Sequence, residues 1–202
     1  MKNILIVDYG MGNIASVKKV IKYLGHNPIV SNNLSLKDNF DFIVLPGVGS
    51  FEQAMKNLQK NDMDSIIREQ VTVKETPILG ICLGMQLFAD MGTEPEPVKG
   101  LGLIKGVVTK MNLSNEFLPH IGWNDIECKN DAFQEYHKKD FYFIHKYSLE
   151  PENVSDIIMS VEVRGKEFVA AVRNKNIFGT QFHPEKSQKD GLNLLKDIFS
   201  YK

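Results

Sequence analysis

Ile78-Leu79-Gly80-Ile81-Cys82-Leu83-Gly84-Met85-Gln86-Leu87 sets an apolar run directly against a cysteine held between two glycines. The run is short and unbroken, as in a strand buried on both faces of a parallel sheet. A helix is expected to follow through Gln86 and Leu87. Strand, glycine-flanked nucleophile and helix in that order form the G-x-nucleophile-x-G elbow, here in its cysteine form. The glycines are needed because the turn is sharp and neighbouring segments come close. At the start of a helix the sulfur would face unpaired N–H groups and the positive end of the helix dipole, which favour the thiolate. A lone cysteine in an apolar stretch is ordinarily a small core residue. The two glycines and the strand-to-helix setting argue for the nucleophile.

Working outward, residues 4–7 read as a strand that stops at Asp8-Tyr9-Gly10-Met11-Gly12-Asn13. Asn13 can cap a helix whose apolar face carries Ile14, Val17, Val20, Ile21 and Leu24, and Gly25 ends it. Residues 28–30 and 42–45 read as two more strands, the second followed by the turn Pro46-Gly47-Val48-Gly49 and a helix capped by Ser50. This rhythm is that of an α/β protein, a mostly parallel sheet with helices on both faces. Glu94-Pro95-Glu96-Pro97 cannot hold regular structure and reads as a surface loop. Beyond it the chain turns β-rich, with strands expected over 106–111, 122–127, 141–147, 157–163, 168–172 and 177–182. Hairpin turns fall at Arg164-Gly165 and Asn174-Lys175-Asn176. An amphipathic helix over 188–199 closes the chain. The expected organisation is one domain over residues 1–202, with the second half added as a β-rich region.

Composition narrows the function. Of the 202 residues 43% are apolar and 24% charged, and the net charge is −1, so no strong field would draw in nucleic acid or an anionic membrane. The opening apolar run is too short for a signal peptide, and two cysteines make no disulfide framework. The expected location is the cytoplasm.

Phe182-His183-Pro184-Glu185 follows the apolar run 177–181 directly. A thiolate nucleophile needs a base that later acts as an acid, and histidine titrates in the useful range. The base needs a third group to fix its tautomer, which Glu185 can supply. Alone, such a pair is more often a surface pair; beside the elbow it becomes the natural partner of Cys82. The glycines of 46–49 can turn N–H groups toward a carbonyl oxygen, although by itself the segment reads as a plain strand-to-helix turn. Gly10-x-Gly12-x-x-Ala15 loosely matches a dinucleotide fingerprint but lacks the later acidic residue. His26, His120, His137, His145 and His183 are scattered, and Cys128 has no elbow, which makes it structural. No cofactor and no metal are expected.

In order and approximate spacing, P-G-V-G, G-I-C-L-G-M-Q and F-H-P-E resemble the class I (triad) glutamine amidotransferases. V-D-Y-G-M-G-N, L-P-G-V-G-S-F, P-H-I-G-W-N and Q-F-H-P-E-K-S resemble more narrowly the glutaminase subunit of imidazole glycerol phosphate synthase. The resemblance runs from residue 3 to about 200 and implies a flavodoxin-like fold. It implies a glutaminase with Cys82 as nucleophile forming a glutamyl thioester, His183 as base and acid, and Glu185 orienting it. It places the oxyanion N–H groups at Val48 and Leu83, and the amino acid part of glutamine at Gly47 and Gln86. It puts His120, Trp123, Asn124 and Lys186 where the family meets a synthase (cyclase) subunit. The implied assembly is a heterodimer that channels ammonia and makes imidazole glycerol phosphate and AICAR in histidine biosynthesis. Two departures stand out: Lys146 where the family has serine, and Ala15 where it often has arginine. The alternatives are a paralogous glutaminase feeding amidino-sugar formation in surface-glycan assembly, a cysteine peptidase or deglycase-like protein, and a catalytically silent subunit.

Overall fold

The protein, seen in a computed structural model, is described here for residues 1–35 and 37–201. The first half runs β1 (Asn3–Val7), α1 (Ile14–Tyr23), β2 (Asn27–Ser31), β3 (Phe42–Gly47), α2 (Phe51–Lys60), α3 (Met63–Thr72), β4 (Ile78–Cys82) and α4 (Leu83–Gln86). The second half runs β5 (Met91–Gly92), β6 (Val98–Lys99), β7 (Gly106–Lys110), β8 (His120–Cys128), β9 (Asp140–His145) and β10 (Tyr147–Pro151). It ends with β11 (Ile157–Val163), β12 (Lys166–Asn174), β13 (Ile177–Thr180) and α5 (Gln188–Ser200). Nine strands form one sheet in the order β2-β1-β3-β4-β13-β12-β11-β8-β9, and β10-β7-β5-β6 form a second.

From β2 to β13 the large sheet is parallel, and from β13 to β9 it is antiparallel. The parallel strands are unbroken apolar runs because both faces are covered. Ile4, Ile6, Phe42, Val44, Leu79 and Ile81 pack toward α1 and α5. Their neighbours Leu5, Val7, Ile43, Leu45 and Ile78 pack toward α2, α3 and the second sheet. A strand alternates its side chains between faces, so two covered faces demand apolar residues at every position. Burying each such side chain contributes about 1.5–3 kcal/mol.

Local signals hold at the caps. Asn13 accepts from the N–H of Ser16 and Ser50 from that of Gln53. Gly25, at φ +82°, closes α1 by donating to the Lys22 carbonyl. Arg164 and Gly165, both at positive φ, make the hairpin between β11 and β12.

Three departures from the sequence reading bear on the site. One helix was expected between Ser50 and β4, but Asp62, at φ +53°, breaks it into α2 and α3. The run 141–147 is two strands: the chain leaves the large sheet at His145 and joins the second sheet at Tyr147. The helix after Cys82 is one turn. A macrodipole needs length, so what remains there is the set of N–H groups that open the turn.

Candidate active site

The carboxyl ends of β3, β4 and β13 lie side by side, with Gly47 opposite Cys82 and Thr180 opposite Ile81. Ligands of open α/β sheets bind at such ends. Cys82 sits at φ +54°, ψ −109°, a backbone setting costing a non-glycine residue roughly 1–3 kcal/mol, and strain of this kind is found at active sites. Its neighbours explain the glycines. A Cβ on Gly84 would lie 1.8 Å from the Leu45 carbonyl oxygen, and one on Gly80 would lie 2.6 Å from the Gly84 backbone. On Gly47 a Cβ would lie 2.5 Å from the Tyr9 hydroxyl and 2.9 Å from the Gly84 nitrogen. The Pro46-Gly47-Val48-Gly49 turn is thereby pressed against the elbow, and Gly49, at φ +114°, needs to be glycine.

His183 follows β13, and its loop is held from both sides. Its N–H donates to the Tyr142 carbonyl at 2.9 Å, and Ser187 Oγ donates to its carbonyl at 2.7 Å. The same Ser187 Oγ accepts from the N–H of Tyr142 at 3.0 Å. A Cβ on Gly191 would meet the Pro184 carbonyl at 2.1 Å, so α5 can press close under the loop. His183 Nδ1 and Glu185 Oε1 are 2.9 Å apart, both side chains almost wholly buried. Burial alone would lower the His183 pKa, but the Cys82 sulfur and the Glu185 carboxylate outweigh it and raise it to about 9. Those two groups favour the imidazolium, the form that can give up a proton.

A cleft of about 330 Å³ opens beside Cys82, with Val48, Leu83, Gln86, Glu94 and Lys146 in its lining. Gln86 Nε2 donates to the Tyr147 carbonyl at 2.9 Å and to Gln181 Oε1 at 3.0 Å, while Gln181 Nε2 donates to Cys82 Sγ at 3.7 Å. His145 Nδ1 donates to the Tyr147 carbonyl at 2.9 Å, and burial pushes its pKa down to about 4, so this ring is neutral. A larger cleft of about 800 Å³, lined by Lys129, Glu167 and Val169 among others, holds none of the residues singled out from the sequence. Cys128 is buried, its thiol donates to the Phe133 carbonyl at 3.0 Å, and burial raises its pKa.

Of the residues expected at a partner face, the structure groups only two. The Trp123 ring lies 5.9 Å from that of Tyr142, and Lys186 Nζ stands 5.8 Å from the Tyr142 ring. Ile121 and Ile144, cross-strand partners, share this exposed face. His120 and Asn124 lie on the opposite face of β8, because successive side chains of a strand point to opposite sides. His120 is buried against Phe143 and His145. Tyr9, Glu94, Gln181 and Ser187 were not singled out from the sequence. Glu94 was hidden in what reads as a surface loop, and Tyr9 stood in a quoted motif without a role.

A family model described as glutamine amidotransferase class-I matches residues 5–200. The chain belongs to the class I glutamine amidotransferase family. Among its curated relatives in this family is the imidazole glycerol phosphate synthase subunit HisH 2 of Methanococcus maripaludis. It is 41% identical over 199 residues, covering 96% of this chain and 98% of the relative. The imidazole glycerol phosphate synthase subunit HisH of Methanopyrus kandleri is 38% identical over 200 residues, covering 98% and 97%. A solved structure of PurLQS from Thermotoga maritima superimposes with a TM-score of 0.79 at 21% identity, covering 100% of this chain and 99% of that one. A crystal structure of a glutamine amidotransferase superimposes with a TM-score of 0.75 at 15% identity, covering 98% of each chain. At such identities the likeness carries the fold.

Proposed function

We infer that this amidotransferase works as the glutamine-hydrolysing subunit of imidazole glycerol phosphate synthase, in histidine biosynthesis. The pathway rests on curated relatives at about 40% identity over nearly the whole chain. The chemistry rests on one observation above the others: a buried histidine, paired with a glutamate at 2.9 Å, beside a strained cysteine at the ends of adjacent strands.

In this reading residues 1–202 act as one glutaminase domain. The Cys82 sulfur attacks the side-chain amide carbon of glutamine, and the oxygen takes up negative charge. The N–H groups of Val48 and Leu83 face that oxygen; Leu83 opens α4, where the first N–H groups have no partner within the helix. His183 gives its proton to the departing nitrogen, the C–N bond breaks, and ammonia leaves a thioester on Cys82. His183 then takes a proton from water, which adds to the thioester and releases glutamate and the thiolate. Glu185 keeps the imidazole oriented, while Gly47 and Gln86 shape the seat of the amino acid.

Ammonia in neutral water is mostly protonated and not nucleophilic, so delivery favours a shielded path. We assign the partner face to Trp123, Tyr142, Lys186, Ile121 and Ile144. Ile144 also lines the cleft, and the Cys82 thiol lies 3.7 Å from its carbonyl oxygen, so a subunit docked there forms a heterodimer closing over the mouth. The test is glutamate release by the chain with and without the synthase subunit and its nucleotide-like ligand. With ¹⁵N-amide glutamine and excess unlabelled ammonium, product nitrogen should stay labelled. Full activity from the chain alone would sink the coupling. Stimulation only by a different amidotransferase partner would overturn the pathway.

A further inference from the structure

We propose that Lys146 reads the α-carboxylate of glutamine and so sets the preference of the cleft for the free amino acid. This deepens the glutaminase reading and rests on it. The argument starts from the charges that line the cleft. Besides the reacting cysteine, the charged side chains in its lining are Glu94 and Lys146, since His145 is held neutral by burial. Glutamine bound with its amide at Cys82 presents a zwitterionic head at the far end of its side chain. Such a head is complemented by an anion beside its ammonium and a cation beside its carboxylate. The lining supplies one of each.

Both groups are available. Lys146 enters none of the ion pairs among the described residues, and neither does Glu94. Glu94 is tethered, its Oε2 accepting from the Phe51 N–H at 3.3 Å. The backbone beneath Lys146 is equally fixed. It is the lone residue between β9 and β10, its carbonyl accepts from the Met111 N–H at 2.9 Å, and the adjoining Tyr147 carbonyl accepts from Gln86 and His145. The chain crosses here from one sheet to the other, so the lysine stem is anchored while the side chain stays exposed. A long exposed side chain on a fixed stem can fold over a bound carboxylate without moving the wall. Glutamine within a peptide offers no free carboxylate, nor does L-glutaminamide, whose carboxylate is a neutral amide.

The experiment compares ammonia release from L-glutamine and from L-glutaminamide by the full chain, as wild type, Lys146→Met and Lys146→Arg. An exposed charge-assisted hydrogen bond is worth about tenfold. Lys146→Met should therefore raise KM for glutamine about tenfold with kcat little changed, and Lys146→Arg should restore most of it. With glutaminamide, wild type should start from the higher KM and Lys146→Met should change nothing further. Calorimetric binding of both compounds to the Cys82→Ala variant repeats the comparison without turnover. Equal KM for glutamine in wild type and Lys146→Met, or an equal loss on both compounds, overturns the role of Lys146 and leaves the glutaminase standing. Binding of neither compound to any variant overturns both together.

Discussion

The parallel and antiparallel halves of the large sheet meet at one cleft and contribute different things to it. The parallel strands β3, β4 and β13 end on the Pro46-Gly47-Val48-Gly49 turn, the cysteine and the histidine, each held by backbone contacts that leave no room for a methyl group or by a buried pair. The antiparallel strands β8 and β9 curl back to supply a wall, Ile144 and His145, and an outer apolar face around Trp123. Close backbone contacts and a buried pair fix the parallel side of the cleft. Exposed side chains mark the antiparallel side. Substitutions in the two halves should therefore fail in different ways.

The largest effect belongs to the parallel half. Cys82→Ser or Cys82→Ala should lower glutamate release by about 10⁶-fold with circular dichroism and melting temperature near wild type. Wild-type release from a folded variant would reject the nucleophile. Next, Glu185→Gln should cost up to about 10⁴-fold, because the amide holds the ring in a poorer tautomer. The pH profile carries a second readout. His183 is raised to about 9 in the folded protein, so the protonated acid is present below that pH and lost as pH rises through it. The alkaline limb of kcat/KM should fall near pH 9 in wild type. Removing the Glu185 charge withdraws support from the imidazolium and should move that limb to lower pH. An unmoved limb would take Glu185 out of the triad.

The antiparallel half should fail only in company. Trp123→Ala should leave basal hydrolysis within about twofold and cut partner affinity or stimulation by on the order of tenfold or more, as buried interface tryptophans do. Basal hydrolysis falling as far as stimulation would erase the contrast between the halves. The smallest effect is expected at Cys128. Cys128→Ser should keep glutaminase activity within about twofold, and limited iodoacetamide should label Cys82 first, read by peptide mapping. Faster labelling of Cys128, whose thiol is buried and already bonded to Phe133, would contradict the assignment.

The same division governs what could be read from the amino-acid sequence. The elbow was legible because its cysteine and flanking glycines form one short motif after an apolar run, although what Gly84 must clear, the Leu45 carbonyl, lies on β3. The caps at Asn13 and Ser50 were legible because a side chain there bonds its own helix. Glu94, Gln181 and Ser187 were not legible, because what gives them a place lies far along the chain: Gln86 meets Gln181 across 95 positions, and Tyr142 meets Ser187 across 45. The strand break at Lys146 was hidden for a related reason, since both sides of it are β and only tertiary pairing separates them. The interface set is divided because a motif ignores the pleat, which sends His120 and Asn124 to the face opposite Trp123.

The Tyr142 peptide has a mechanical consequence. Its carbonyl takes the N–H of His183, and its own N–H leads through the Ser187 hydroxyl back to the His183 carbonyl, while its ring sits between Trp123 and Lys186 on the outer face. One residue thus joins an exposed outer face to the loop that carries the imidazole. The two tethers reach His183 by one direct backbone bond and by one that passes through the Ser187 side chain. The span from the outer face to the imidazole is therefore a matter of two hydrogen bonds.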